Sequence, residues 1–224
     1  MDNDALWYDD NKSPFGSWVI VDRFADIILH YVGGCIVEIG LGMSTKVLAK
    51  HARNLGIKHY AVDRSISRCE GIKRDAECQH DGLIIYNGLS LDFIETFDDT
   101  PGLVFIDGCH DAEVVMKEAM FFIDKLLPGG VIFFHDMYPC EAWGTRTKEL
   151  GKDSDTYLVR LELENLKNIW CLTFPYSAAA CGLTMVLKRP KFEHTANPLD
   201  LVGSNPRGPR MSGRYRWFMG RKGE

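Results

Sequence analysis

Apolar residues along the chain fall into short runs that end in polar or glycine-rich residues, with longer amphipathic stretches between them. The runs at 35–39, 59–62, 83–86, 103–106 and 131–134 are rich in β-branched and aromatic residues and have the length of buried strands. They end at Gly40, Asp63, Asn87-Gly88, Asp107 and His135-Asp136. The stretch 111–127 carries Val115, Ala119, Phe122 and Leu126 at helical spacing and stops at Pro128-Gly129-Gly130. Strand and helix alternate from Cys35 to about Arg189, which predicts an α/β fold, a doubly wound and mostly parallel sheet with helices on both faces. Two later runs, 169–174 and 183–187, lie too close together for a helical crossover. They predict an antiparallel pair at the edge of a seven-stranded sheet.

Ahead of the first strand, residues 13–32 predict an amphipathic helix carrying Trp18, Ile20, Phe24, Ile27 and Ile28, which either roofs the site or covers the sheet. Beyond Pro190, glycines and prolines at 198, 203, 206, 208, 209 and 213 break any periodicity, so the end of the chain reads as a flexible tail. The expected organisation is a helical cap over 1–34, a catalytic domain over 35–189 and a basic tail over 190–224. A length of 224 residues suits one domain with appendages.

Charge sharpens this division. From Arg189 onward eight basic residues face three acidic ones, a net +5, so a formal total of −5 leaves about −10 on the remainder. An acidic body suits a small-molecule enzyme and is a poor footprint for duplex nucleic acid, while the tail has the charge to bind a polyanion. The seven cysteines are scattered and never spaced as C-x-x-C, which argues against a disulfide framework or a structural zinc site. No apolar run has the length of a membrane span, and the acidic start Met1-Asp2-Asn3-Asp4 is unlike a signal peptide, so a cytoplasmic location is expected.

In an open α/β sheet the ligand crevice lies at the carboxyl ends of the strands. Here the turn after the first strand is Glu38-Ile39-Gly40-Leu41-Gly42-Met43-Ser44-Thr45. Gly40 and Gly42 permit close backbone approach, Ser44 or Thr45 can cap the next helix, and Asp63 ends the second strand where it can accept both hydroxyls of a ribose. Nicotinamide and flavin enzymes share such a turn. Two features oppose a pyrophosphate: Thr45 stands where a dinucleotide fingerprint has its third glycine, and the Glu38 carboxylate repels phosphates but attracts an ammonium. The plain alternative is a set of turn residues in some other doubly wound fold, with Ser90 and Asp92 only capping a helix.

Glu38 with G-x-G, followed by the acid at Asp63, resembles the class I S-adenosylmethionine (SAM)-dependent methyltransferases. The run 37–49, VEIGLGMSTKVLA, is similar to the branch containing catechol O-methyltransferase and bacterial sugar O-methyltransferases. That resemblance implies SAM as cofactor. It implies that Glu38 meets the amino group and Ser44 the carboxylate of the methionine moiety, and that Gly88-Leu89-Ser90-Leu91-Asp92 cups the adenine.

Methyl transfer to a hydroxyl needs alignment of the nucleophile and removal of a proton. Asp107 and His110 follow the fourth strand, and His135 and Asp136 close the fifth, so all face one crevice. Asp107, which also lines the cofactor pocket, and Asp136 can share a hard cation such as Mg²⁺. The pattern D-G-x-H, then P-G-G and a strand ending in H-D, resembles metal-dependent sugar O-methyltransferases. It implies metal ligation by Asp107 and Asp136 and general-base work by His110. His135 departs from that pattern, where an acid is usual; it is a further ligand candidate and suits Mn²⁺ or Fe²⁺ better than Mg²⁺. Each of these residues has a bland alternative as a cap or as packing. Trp18, Tyr138 and Trp143 are candidate walls for the acceptor.

The expected function is therefore O-methylation of a small hydroxylated molecule, a sugar or catechol-like unit. Two other readings stay open: RNA or nucleotide methylation with Arg214-Tyr215-Arg216-Trp217-Phe218 gripping a strand, and a non-catalytic cofactor-binding protein that keeps the fold.

Overall fold

The computed structural model describes residues 17–137, 156–174 and 182–189. Within them the elements run α1 (Ser17–Tyr31), β1 (Cys35–Ile39), α2 (Met43–Leu55), β2 (His59–Asp63), α3 (Ile66–Arg74), β3 (Leu83–Asn87), α4 (Ser90–Thr96), β4 (Pro101–Ile106), α5 (Ala112–Lys125), β5 (Val131–His135), α6 (Thr156–Glu164), β6 (Ile169–Phe174) and β7 (Leu183–Lys188). The strands form one sheet in the order β3-β2-β1-β4-β5-β7-β6. The first five are parallel, while β7 runs antiparallel to both β5 and β6. The expected doubly wound sheet with an antiparallel edge pair is what forms.

Every residue of β1 and β4 is buried, because helices cover both faces of the sheet. On one face Val21, Ala25 and Leu29 of α1 and Leu48 and Ala52 of α2 pack on Ile36, Leu103, Phe105 and Phe133. On the other, Phe93 of α4, Val115, Ala119 and Phe122 of α5 and Val159 and Leu163 of α6 pack on Val37, Val104, Ile132 and Phe134. Local signals set the helix ends: the Asp111 carboxylate accepts the Glu113 and Val114 amides at the start of α5, and Gly56 closes α2 in the left-handed conformation.

Two elements differ from the pattern-based reading. β4 starts at Pro101 rather than Leu103, since Pro-Gly reads as a turn although Pro is tolerated at the first residue of a strand. Gly102 lies so close to the Gly33 carbonyl that a side chain there would collide. α1 both covers the sheet and reaches the crevice: Asp22 takes hydrogen bonds from Lys50 (2.8 Å) and His51 (2.7 Å) of α2, while Trp18 lies against His135.

Candidate active site

The strand order reverses between β1 and β4, and their C-terminal turns open the crevice there. Gly40 has φ +90°, and a Cβ on it would strike the Asp107 carbonyl, so this position requires glycine. The Gly40 N–H donates to Val62 O and the Asp107 N–H to Ile39 O, both at 2.8 Å, locking three strand ends together. Around Gly42, by contrast, a Cβ would meet no protein atom within 4 Å. The turn thus presents an open backbone edge to the crevice.

Glu38 is fully buried beneath this turn. Its Oε1 accepts the Ser44 hydroxyl at 2.5 Å and the Thr45 hydroxyl at 3.1 Å, and Thr45 Oγ1 accepts the Gly42 N–H at 3.0 Å. The expected cofactor residues Glu38, Gly42, Ser44 and Thr45 therefore form one network, in which Ser44 is engaged with Glu38. Asp63 ties the neighbouring turns: Oδ2 accepts the Leu41 N–H (2.9 Å), Oδ1 the Ser65 N–H (2.7 Å), and Arg68 Nη1 stands 3.4 Å from Oδ2. A carboxylate has about four acceptor positions, so the two backbone bonds leave capacity for a diol. Ser90 begins α4, half-buried, and Asp92 is exposed in its first turn.

At the ends of β4 and β5 two carboxylates meet two imidazoles. His110 Nε2 is 3.0 Å from Asp136 Oδ2 and 3.9 Å from Asp107 Oδ1. His135 Nδ1 is 3.1 Å from Asp136 Oδ1 and 3.6 Å from Asp107 Oδ1. The His110 side chain is 40% exposed and that of His135 15%, so His110 is the one turned to the crevice. The His135 ring stacks on Trp18, with centroids 5.4 Å apart and planes at 11°. Ligand atoms of Asp107, His110 and Asp136 all lie within 4.8 Å of one another, which brings His110 into the expected ligand set beside the two acids.

The charges in this cluster shape one another. The hydrogen bond to Asp136 outweighs burial and raises the His110 pKa. Burial works against a charged His135, yet Asp107 and Asp136 hold its pKa well above the ordinary histidine value. Burial likewise works against ionised Asp136, but bonds to His110 and His135 keep its pKa far below the usual carboxylate range. Asp136 also adopts φ +60°, a left-handed conformation that Asp tolerates and that cores rarely use. Its N–H donates to Gly182 O (2.9 Å) and its carbonyl accepts Thr156 Oγ1 (2.8 Å), bonds that hold it in place.

Tyr138, Trp143 and the tail 190–224 lie outside the described residues. Among the buried polar residues that the sequence reading passed over, two carry a buried ionisable group near the site. His59 heads β2, fully buried beside Glu38, where only the oddity of a histidine opening an apolar run marks it. Glu118 lies on the buried stripe of α5, its pKa pushed up to about 7 by burial and lowered in part by the Ser90 hydroxyl. Its signal was a charge placed between Val115, Ala119 and Phe122.

A family model described as a methyltransferase domain matches residues 37–137. No curated protein matches the chain in sequence. Among solved structures, an O-methyltransferase from Bacillus cereus in complex with SAH aligns with TM-score 0.59 at 18% identity, covering 83% of this chain and 86% of that one. The O-methyltransferase TomG from Streptomyces achromogenes, in complex with SAM, aligns with TM-score 0.60 at 17% identity over 76% and 80%. An rRNA methylase from Streptococcus thermophilus aligns with TM-score 0.57 at 15% identity over 80% and 98%. The matched region, the strand order and the glycine turn at the head of α2 agree: residues 37–137 match a methyltransferase domain, and the sheet has the fold of these solved methyltransferases.

Proposed function

We propose that this protein transfers the methyl group of SAM to a hydroxyl of a small acceptor, with help from a divalent cation. The observation that carries the reading is the pairing of Asp107 and Asp136 with His110 and His135 at the mouth of the crevice, beside the open edge at Gly42. SAM suits the other half: Gly42 offers space, Asp63 has acceptor capacity for a ribose, and the buried Glu38 disfavours a pyrophosphate. The solved O-methyltransferases of like fold point the same way.

A cation fits the donor set of two carboxylates with an imidazole, and the nitrogen favours Mn²⁺ or Fe²⁺ over Mg²⁺. Asp107 and Asp136 would hold it, with His135, 3.1 Å and 3.6 Å from their oxygens, as the nitrogen ligand in place of His110, and when bound it would lower the pKa of the acceptor hydroxyl. His110, the more exposed imidazole, would take that proton. The oxygen then forms a bond to the methyl carbon as the carbon–sulfur bond breaks, and the electron pair leaves with the sulfur of S-adenosylhomocysteine. Trp18, stacked behind His135, closes one wall of the acceptor space.

Incubation with SAM, Mn²⁺ and a panel of catechols and sugars, read by mass spectrometry, tests this: a methyl ether should form, and excess chelator should stop it. Full turnover in chelator removes the cation. A second reading, RNA methylation, is favoured by the likeness to the rRNA methylase and by the Arg-aromatic tail. Methyl incorporation into an rRNA fragment but into no small hydroxyl compound would establish that reading instead.

A further inference from the structure

A buried polar cluster lies behind the glycine turn, away from the reacting groups. Ile36 pairs with His59 and Glu38 with Ala61, so His59 and Glu38 are diagonal neighbours on one face of the sheet, a separation that long side chains bridge. His59 Nε2 stands 3.3 Å from Glu38 Oε2, and both side chains are fully buried. The His80 ring stacks parallel to that of His59, centroids 6.0 Å apart, and covers it from behind. Neither ring nitrogen of His59, nor Glu38 Oε2, completes a hydrogen bond among the described residues.

An aliphatic residue at position 59 would avoid the cost of burying an imidazole whose polar atoms are left unsatisfied. The acid beside it gives the histidine a purpose. A carboxylate buried without a polar neighbour on one side is driven to neutralise or to turn away. If Glu38 turned, Ser44 and Thr45 would lose their acceptor, and Thr45 is the residue that holds the Gly42 N–H.

We propose that His59 is a positioning residue of the cofactor site, fixing the Glu38 carboxylate from behind so that Ser44, Thr45 and Gly42 stand ready for SAM. The inference rests on the reading of this turn as the SAM site. It makes the effective turn larger than the glycine motif, since a residue of β2 that never touches cofactor sets its shape.

SAM dissociation constants from calorimetry, with melting temperatures as a control for folding, test this on the full-length protein. His59→Phe should weaken SAM binding about tenfold, the size of one lost charge-assisted contact, and His59→Gln, which keeps a donor near the Nε2 position, should restore most of it. In a Glu38→Gln background His59→Phe should add less than about twofold, because coupled residues are non-additive. Additive losses, or an unchanged dissociation constant in folded His59→Phe, would overturn the proposal. Should His59→Phe fail to fold, the double variant with Glu38→Gln should regain the fold; if it does not, the proposal fails. Unchanged SAM binding in both Glu38→Gln and Asp63→Ala would instead reject the turn as the SAM site, whatever His59 does.

Discussion

The two halves of the crevice are built from different materials. At the ends of β1 and β2 the structure is made of backbone and of carboxylates that the turns hold by one or both oxygens: Glu38 Oε1 by two hydroxyls, Asp63 by two amides. At the ends of β4 and β5 it is made of facing charges, two acids against two imidazoles, with one acid in a left-handed conformation. The first half is a rigid mould that gains little by moving. The second holds groups whose protonation each neighbour changes, which is the property proton transfer requires.

The largest expected effects fall on the reacting half. His110→Ala should lower turnover by about 10²–10⁴, the usual contribution of a general base, with SAM affinity within about twofold of wild type by calorimetry. If affinity falls as far as rate, the halves are not separate. The reaction should also speed up as pH rises through the raised pKa of His110, since only the neutral imidazole accepts a proton, and His110→Ala should remove that midpoint from the residual rate. A midpoint that stays put would detach His110 from the rate.

In the mould, Gly40→Ala should destabilise the fold by about 2–4 kcal/mol, because it combines an unfavourable positive φ with a collision against backbone. A thermal melt checks this. Asp63→Ala should weaken SAM binding by about 1.5–3 kcal/mol, the range for bonds to a charged group, and leave the reaction-side pH midpoint where it was. A shifted midpoint would show electrostatic communication across the crevice.

Glu118 sits under neither half but beside Ser90, and offers a test of stability against pH. Its folded pKa, about 7, exceeds the ordinary value of 4.5. The fold therefore retains a proton that the unfolded chain releases, and stability should fall as pH rises from about 4.5 to about 7, by about 3 kcal/mol at most. Glu118→Gln should flatten that part of the curve in chemical denaturation. A slope that survives in Glu118→Gln would place its source elsewhere.

What the sequence made legible divides along the same line. Strand ends and the glycine turn were readable because backbone rules act locally: apolar runs end in polar residues, and Gly40 must be glycine. The pairing of His110 with Asp136 spans 26 residues and depends on β4 and β5 being neighbours, which a topology supplies and a spacing does not. The engagement of Ser44 by Glu38 likewise depends on which way a buried side chain turns, and no pattern of residue types encodes that. His59 and Glu118 stayed hidden because each occupies a place in an apolar pattern where one polar residue reads as noise.

The smallest effect tests whether α1 joins the two halves. Its Asp22 is fastened to Lys50 and His51 on α2, above the cofactor turn, while Trp18, one turn earlier, lies on His135 of the reacting cluster. Asp22 is 38% exposed, so solvent screens the pair with Lys50, and Asp22→Ala should cost about 0.5–1 kcal/mol of stability, less in high salt. If α1 only covers the sheet, turnover at saturating SAM should follow that small change and no more. A tenfold loss of rate with a melting temperature near wild type would mean that the Asp22 fastening sets the Trp18–His135 stack, and that the rigid half of the crevice holds part of the reactive half in register.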